Sequence, residues 1–256
     1  MSPHLRLQDV TLCAVSSVAV KQTLRAINCS MNQISFGAVK LISHRKPDNL
    51  PAGCEFTEID PLRSKDAYSR FIIKNLNDHI ESPYVLLIQW DGYVIRSASW
   101  RNHFLDFDYI GAPWLQFEDQ QNVGNGGFSL RSKRLLRACQ DNQMTVNEAE
   151  DISVCRTHRT MLERDHGIRF ADEKTARDFA YERTAPNGTE LGFHGVFNMP
   201  ALLGRDGFLS FLSDLPFGLL GKRERRELLD GAIKSGDLKL AQRILSEWLP
   251  RRITSS

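Results

Sequence analysis

Tyr84-Val-Leu-Leu-Ile88-Gln-Trp-Asp-Gly92 is the stretch whose reading decides the fold. From Tyr84 to Ile88 no polar residue interrupts it, the pattern of a central strand covered by helices on both faces. Just before it, Ser82-Pro83 stops a helical segment, Asp66 to Ile80, in which Tyr68, Phe71, Ile72, Leu76 and Ile80 share one face. Further upstream, Val10-Thr-Leu-Cys-Ala-Val15 reads as a strand. Val20, Leu24, Ile27 and Met31 recur at helical spacing, and strand patterns return at Phe36 to Ile42 and Glu55 to Ile59. Strands alternating with helices of this length predict an α/β fold with an open, Rossmann-like, mostly parallel central sheet, flanking helices and right-handed crossovers.

In such sheets ligands bind beyond the carboxyl ends of the strands, where loops diverge and helix N–H groups face the gap. Gln89-Trp-Asp-Gly92 sits at that end. Asp91 after a buried strand suits a cation-binding carboxylate, because the strand fixes its position and Gly92 permits close approach; the same pair also makes an ordinary turn. Further on, Val123-Gly-Asn-Gly-Gly-Phe-Ser-Leu130 lacks the spacing of a dinucleotide fingerprint or a Walker loop. Its glycines either let backbone approach a bulky polar ligand or make a tight turn before a strand. A helical segment then carries Leu135, Leu136 and Cys139.

Asn147-Glu-Ala-Glu150-Asp151-Ile152 opens another helical stretch. Acids in a first turn complement the helix dipole, and paired carboxylates in a cleft also orient a hydroxyl and accept its proton. His194, in Phe193-His194-Gly195, is a ligand or a structural histidine. Trp100, Phe104, Phe107, Tyr109 and Trp114 either stack on a bound ligand or pack at the core edge.

The 256 residues suit one large domain with a small appendage, and 41% hydrophobic with 25% charged residues is ordinary globular usage. Thirty-three Lys and Arg against 31 Asp and Glu leave a net charge of +2, too little for a general nucleic-acid binder. Five scattered cysteines without a Cys-x-x-Cys or zinc pattern read as reduced thiols filling the core, which points to the cytoplasm. No export signal and no membrane span is legible, so any membrane contact is expected to be peripheral, at the inner face. The character changes at Arg205, so the expected division is 1–204 and 205–256, the latter a helical extension built on Phe208 to Leu212, Leu228 to Ile233 and Leu238 to Leu245. Gly236 to Leu245 is similar to one unit of a helical repeat, and Lys222, Arg223, Arg225 and Arg226 form a solvated or partner-facing basic face.

Five elements stand in one order: Ile88-Gln-Trp-Asp-Gly92, Asp108-Tyr-Ile-Gly-Ala-Pro-Trp114, Val123-Gly-Asn-Gly-Gly-Phe-Ser-Leu-Arg-Ser132, Glu150-Asp151 and Leu191-Gly-Phe-His194. Over roughly residues 10 to 200 this series resembles a glycosyltransferase-like family of unknown function. It also looks like a compressed galactosyltransferase plan of the GT-A superfamily. That resemblance implies a metal-assisted glycosyltransferase moving a sugar from a nucleotide diphosphate donor, a uridine diphosphate sugar among the candidates, to a carbohydrate or glycoconjugate acceptor. Asp91 would match the last acid of an Asp-x-Asp motif and bind manganese or magnesium with His194. Gly126 and Gly127 would lie against the donor sugar. Asp151 would deprotonate the acceptor and Glu150 would hold it or orient the base, with Trp114 also at the acceptor. Ser16, Ser17 and His44 would touch the nucleoside. The transfer so described is inverting.

Gln89 departs from the plan: at the donor its amide can hydrogen-bond a ribose hydroxyl or metal-bound water, but in the place of the first acid it brings no charge and weakens metal affinity. Two other readings remain. One is a noncatalytic carbohydrate- or nucleotide-binding module. The other, nucleotidyl transfer to a sugar phosphate, would ordinarily place a Gly-rich basic signature at the first strand's end, and Val15-Ser-Ser-Val-Ala-Val20 lacks it.

Overall fold

The computed structural model describes residues 4–216 and 218–248. β1 (Leu5–Val15), β2 (Ile34–Ser43) and β3 (Glu55–Glu58) are parallel neighbours, with α1 (Val20–Met31) linking the first two. α2 (Lys65–Lys74) precedes β4 (Tyr84–Ile88), which pairs in parallel with β1. The sheet continues through β7 (Phe128–Ser132) to β6 (Tyr109–Ile110), in the order β3-β2-β1-β4-β7-β6. Only β7 runs against the rest. The mostly parallel α/β sheet expected from the alternating pattern is what forms. Val85, Leu86, Leu87 and Ile88 are all essentially inaccessible, so β4 is central on both faces.

Local chemistry sets several boundaries. Ser64 caps α2 by accepting from the Ala67 N–H at 3.0 Å, and Asp66 follows in its first turn. α2 stops at Lys74, short of the predicted Ile80, and Leu76–His79 form a separate 3₁₀ turn. Asn75, Asn77 and Asp78 supply the reason: short polar side chains compete with the helix for backbone groups. Ser132 ends β7 and caps α3 (Lys133–Ala138) by accepting from the Leu135 N–H at 3.0 Å.

A second, small sheet lies beyond β4. Its members are β5 (Tyr93–Val94), β8 (Ala180–Tyr181) and β9 (Gly192–Phe193), in the order β5-β9-β8. Between β7 and β8 come α4 (Glu150–Ile152), which runs on into a π turn over Ser153–Thr157, then α5 (Arg159–His166) and α6 (Glu173–Phe179). Cys13, Cys54, Cys139 and Cys155 are buried, and none of the five cysteines is in a disulfide.

The chain forms two compact units, Met1–His194 and Gly195–Ser256, so the division falls ahead of the expected 204/205. The reason is α7 (Met199–Ser213), which spans 204/205; Gly204, at φ 66°, kinks that helix without separating units. In the second unit α8 (Lys222–Lys234) and α9 (Leu238–Trp248) pack together, burying Leu228, Leu240 and Ile244. Lys222, Arg223 and Arg226 are exposed. Among the described residues no helix is long and apolar enough to cross a membrane.

Candidate functional site

The end of β4 is where the chemistry gathers. Ile88 pairs with Phe128, so the turn before β7 lies beside the residues after β4, and the Gln89 N–H donates to the Gly127 carbonyl at 2.8 Å. Asp91-Gly92 then leads directly into β5, whose Tyr93 pairs with Phe193, while Phe193 also pairs with Tyr181. Residues following β8 and β9 are thereby neighbours: Glu182 and His194 arrive together at Asp91. The His194 N–H donates to the Tyr181 carbonyl at 3.0 Å and fixes that register.

The imidazole stands between two carboxylates. His194 Nε2 lies 3.4 Å from Asp91 Oδ1, and Nδ1 lies 3.5 Å from Glu182 Oε1. Burial alone would lower the imidazole pKa, but Asp91 first and Glu182 second raise it to about 10. Glu182 is held below the usual carboxylate range: burial works against this, and His194 and Arg183 outweigh it.

The glycine pair is packed against this chain of charges on one side and a second ion pair on the other. A Cβ on Gly127 would stand 2.0 Å from His194 Nε2, and one on Gly126 only 1.5 Å from Glu150 Oε1. No other residue leaves room for these side chains. Glu150 is sealed in place, 2.9 Å from the Nη2 of Arg131, and both residues are buried. Burial pushes the Glu150 carboxyl up to about 7 against the opposing pull of the guanidinium. Arg131 also donates from Nε to Ser129 Oγ at 3.0 Å and lies over the Tyr109 ring. Asp151 is only partly buried; its Oδ2 accepts from the Gly126 N–H at 3.1 Å.

Asp91, His194, Glu150, Asp151, Gly126 and Gly127 are thus brought together around one turn. Several expected roles are not presented. Gly126 and Gly127 meet Glu150 and His194 rather than standing open to a sugar. Glu150 is committed to Arg131 beneath the surface, which leaves its carboxylate no approach to an acceptor. Trp114 is 6% exposed in a core cluster with Tyr109, Leu135 and Phe170, and it fills the space against Gly124, where a Cβ would touch the indole at about 2.1 Å. Trp100, Phe104 and Tyr109 are buried too, so they pack the core.

Around β1 and β2 the polar groups face inward to backbone. Ser16 Oγ accepts from the Ala19 N–H at 3.4 Å and Ser17 Oγ from the Leu62 N–H at 3.0 Å, both acting as turn serines. His44 is partly exposed after β2, with Nδ1 buried and without a hydrogen-bond partner. Gln89 donates from Nε2 to the Tyr68 hydroxyl at 3.0 Å.

Two functional candidates escaped the sequence reading. Arg131 carried a signal: a cation in the strand pattern Phe128-Ser-Leu-Arg-Ser132 demands a buried anion. Glu182 carried none, because its partner is supplied by strand pairing with a segment more than ten residues away.

Among the described residues no three His, Cys, Asp or Glu side chains gather so as to hold a metal ion by themselves. Asp91 Oδ1 and His194 Nε2 are close enough to share one cation, with Glu182 behind the imidazole as an outer partner. A cation here would therefore take its other ligands from a bound phosphate group or water, as magnesium sites do.

Solved structures similar to this chain include the mannosyltransferase PcManGT from Pyrobaculum calidifontis in complex with GDP-Man and Mn2+, at 9% identity and a TM-score of 0.46, covering 97% of this chain and 76% of that one. Another is a glycosyltransferase involved in glycosylation of the major capsid of PBCV-1, at 13% identity and a TM-score of 0.44, covering 72% and 92%. A third is the apo form of the glycosyltransferase GlyE of Streptococcus pneumoniae TIGR4, at 10% identity and a TM-score of 0.41, covering 93% and 62%. Likenesses this distant carry no argument about activity. No curated protein matches the sequence. A family model described as a protein of unknown function (DUF5672) matches residues 53–194, more than half of the sequence and all five elements from Ile88 to His194; the chain belongs to the DUF5672 family.

Proposed function

We propose that this protein is a glycosyltransferase that moves a sugar from a nucleotide diphosphate donor to a carbohydrate or glycoconjugate acceptor with inversion. What supports the reading is one observation: Asp91, His194 and Asp151, remote in sequence, converge on Gly126–Gly127 at the carboxyl end of a mostly parallel sheet. In this reading Asp151 is the general base. Its Oδ2 is oriented by the Gly126 N–H and takes the proton of the acceptor hydroxyl. The acceptor oxygen forms its bond to the anomeric carbon as the bond from that carbon to the phosphate oxygen breaks, and the electron pair leaves with the nucleoside diphosphate. Asp91 and His194 would hold manganese or magnesium, whose chemistry is to neutralise the charge on the departing diphosphate. With no ion bound, the imidazolium that Asp91 and Glu182 stabilise would hold the positive charge at that place, and an ion would bind only as His194 gives up its proton. Glu150 and Arg131 act as support that fixes the neighbouring Asp151.

The test is donor hydrolysis and transfer over a panel of uridine and guanosine diphosphate sugars, with manganese, with magnesium and with chelator. Turnover is expected, and Asp91→Ala or Asp151→Asn should each lower it by about 100-fold or more. Unchanged rates in both variants refute the assigned roles.

A noncatalytic nucleotide- or carbohydrate-binding module is the second reading. Gln89 favours it, since its amide brings no charge and is engaged with Tyr68. Calorimetry would then record donor or glycan binding with no turnover under any metal condition.

A further inference from the structure

A cavity of about 550 Å³ opens on the same connection that carries Gly126–Gly127. That volume is within the range of small-molecule sites, about 300–1,000 Å³. The loop Leu115–Gln121 forms one wall. Its base is closed by the Trp114 N–H donating to the Asn122 carbonyl at 2.7 Å and by the bridge of Pro113 to Val123. Only Gly124 and Asn125 separate that base from Gly126. Phe170, opposite, belongs to a segment bridged in parallel to β6 at Tyr109.

The lining combines three kinds of group. Leu115, Phe117 and Phe170 give apolar faces, and Gln120 and Asn122 give amides that both donate and accept. Arg159 supplies an unsatisfied donor. Its side chain is nine-tenths buried, Nε is bound to Glu163 at 2.9 Å, the guanidinium lies 4.5 Å from the Phe170 ring centre, and Nη1 has no hydrogen-bond partner. A buried donor left unmatched is costly, so a ligand oxygen taking that bond would be favoured. Charge then selects the ligand. Glu118, Asp172 and Glu173 line the same cavity and Glu163 pairs with Arg159, so even with Arg177 paired to Glu173 the carboxylates outnumber the guanidiniums, and an anion would be disfavoured. Asp172 caps α6 through the Thr175 N–H, and Glu173 accepts from Asn122 Nδ2 at 2.5 Å, which holds these acceptors in place. Apolar faces beside fixed donors and acceptors, without net positive charge, match a neutral sugar ring, which has one apolar face and hydroxyls on its rim.

We propose that this cavity is a binding site for a neutral saccharide unit of the acceptor glycan, separate from the charged turn where transfer would occur. Its role as an acceptor subsite rests on the transferase reading above, whereas saccharide binding itself does not. The intact protein should be titrated, without donor or metal, with lactose, maltose, cellobiose and glucuronic acid, following backbone amide resonances by NMR. Saturable shifts are expected for at least one neutral disaccharide at Asn122, Arg159 and their neighbours, and glucuronic acid should bind more weakly. Asn122→Ala and Gln120→Gly should each weaken the neutral disaccharide at least fivefold. Gln120 already holds a positive φ of 64°, so glycine keeps its backbone. Absence of saturable binding by every neutral disaccharide, unchanged affinity in both variants, or tighter binding of glucuronic acid overturns the proposal. Disaccharide binding without donor turnover would keep the cavity and remove the transferase reading, and turnover without disaccharide binding would do the reverse.

Discussion

Gly126 and Gly127 press against two ion pairs that differ in kind. On the Gly126 side, Arg131 and Glu150 are both sealed from water, and each is the other's charge partner. On the Gly127 side, His194 stays partly exposed between Asp91 and Glu182, with its ring atoms at distances longer than close hydrogen bonds. A buried pair of the first kind holds structure, because removing either member strands a charge in a medium that cannot solvate it. The second kind is an imidazole held between two carboxylates, 3.4 Å from Asp91 and 3.5 Å from Glu182, so its charge is shared by two partners. Adjacent glycines of one turn thus separate a closed ion pair from an imidazole held between two carboxylates, although acids occur on both sides.

The widest separation between the two should come from Glu150→Ala. It leaves Arg131 charged and unpaired in the core and should lower the unfolding free energy by about 3–5 kcal/mol in urea denaturation. Replacing both members, as Arg131→Met with Glu150→Leu, should recover most of that loss; if it does not, the pair has a role beyond mutual neutralisation.

The His194 side should respond to pH instead. Its folded pKa of about 10 lies above the ordinary 6.5, so its contribution to stability is complete below 6.5 and disappears as pH rises through 10. NMR titration of the imidazole should find that raised value, and Asp91→Asn should bring it down while flattening the stability profile between those limits. A titration near 6.5 in the unaltered protein would dissolve the distinction between the two sides.

The smallest effect belongs to the β1 end of the rim. Ser17→Ala should cost about 1 kcal/mol through the lost bond to the Leu62 N–H, and nucleotide affinity should be unchanged by calorimetry. A tenfold loss of nucleotide affinity would instead return Ser17 to the donor site.

Much of this was legible along the chain. The apolar run Tyr84–Ile88 identified the central strand, and alternation around it identified the parallel sheet, because side-chain burial on both faces requires helices on both sides. Asp91 could be placed at the ligand-binding edge for the same reason. Where side chains are used by their neighbours was not legible. Ser16, Ser17 and Trp114 have the right chemistry for ligand contact, but only the fold shows that each serine oxygen accepts a backbone N–H and that Trp114 sits in a core cluster.

Local sequence by itself determined the strands, the helix caps and the candidate acids, since these depend on periodicity and on bonds a few residues long. Only tertiary structure decided which buried acid meets a guanidinium and which meets an imidazole. Arg131 reaches Glu150 across an intervening helix and loop, and Glu182 meets His194 through the pairing of β8 with β9. Burial and charge are properties of such long-range encounters, so one buried carboxyl group is pushed above its ordinary pKa and another held below it according to what the fold lays against each.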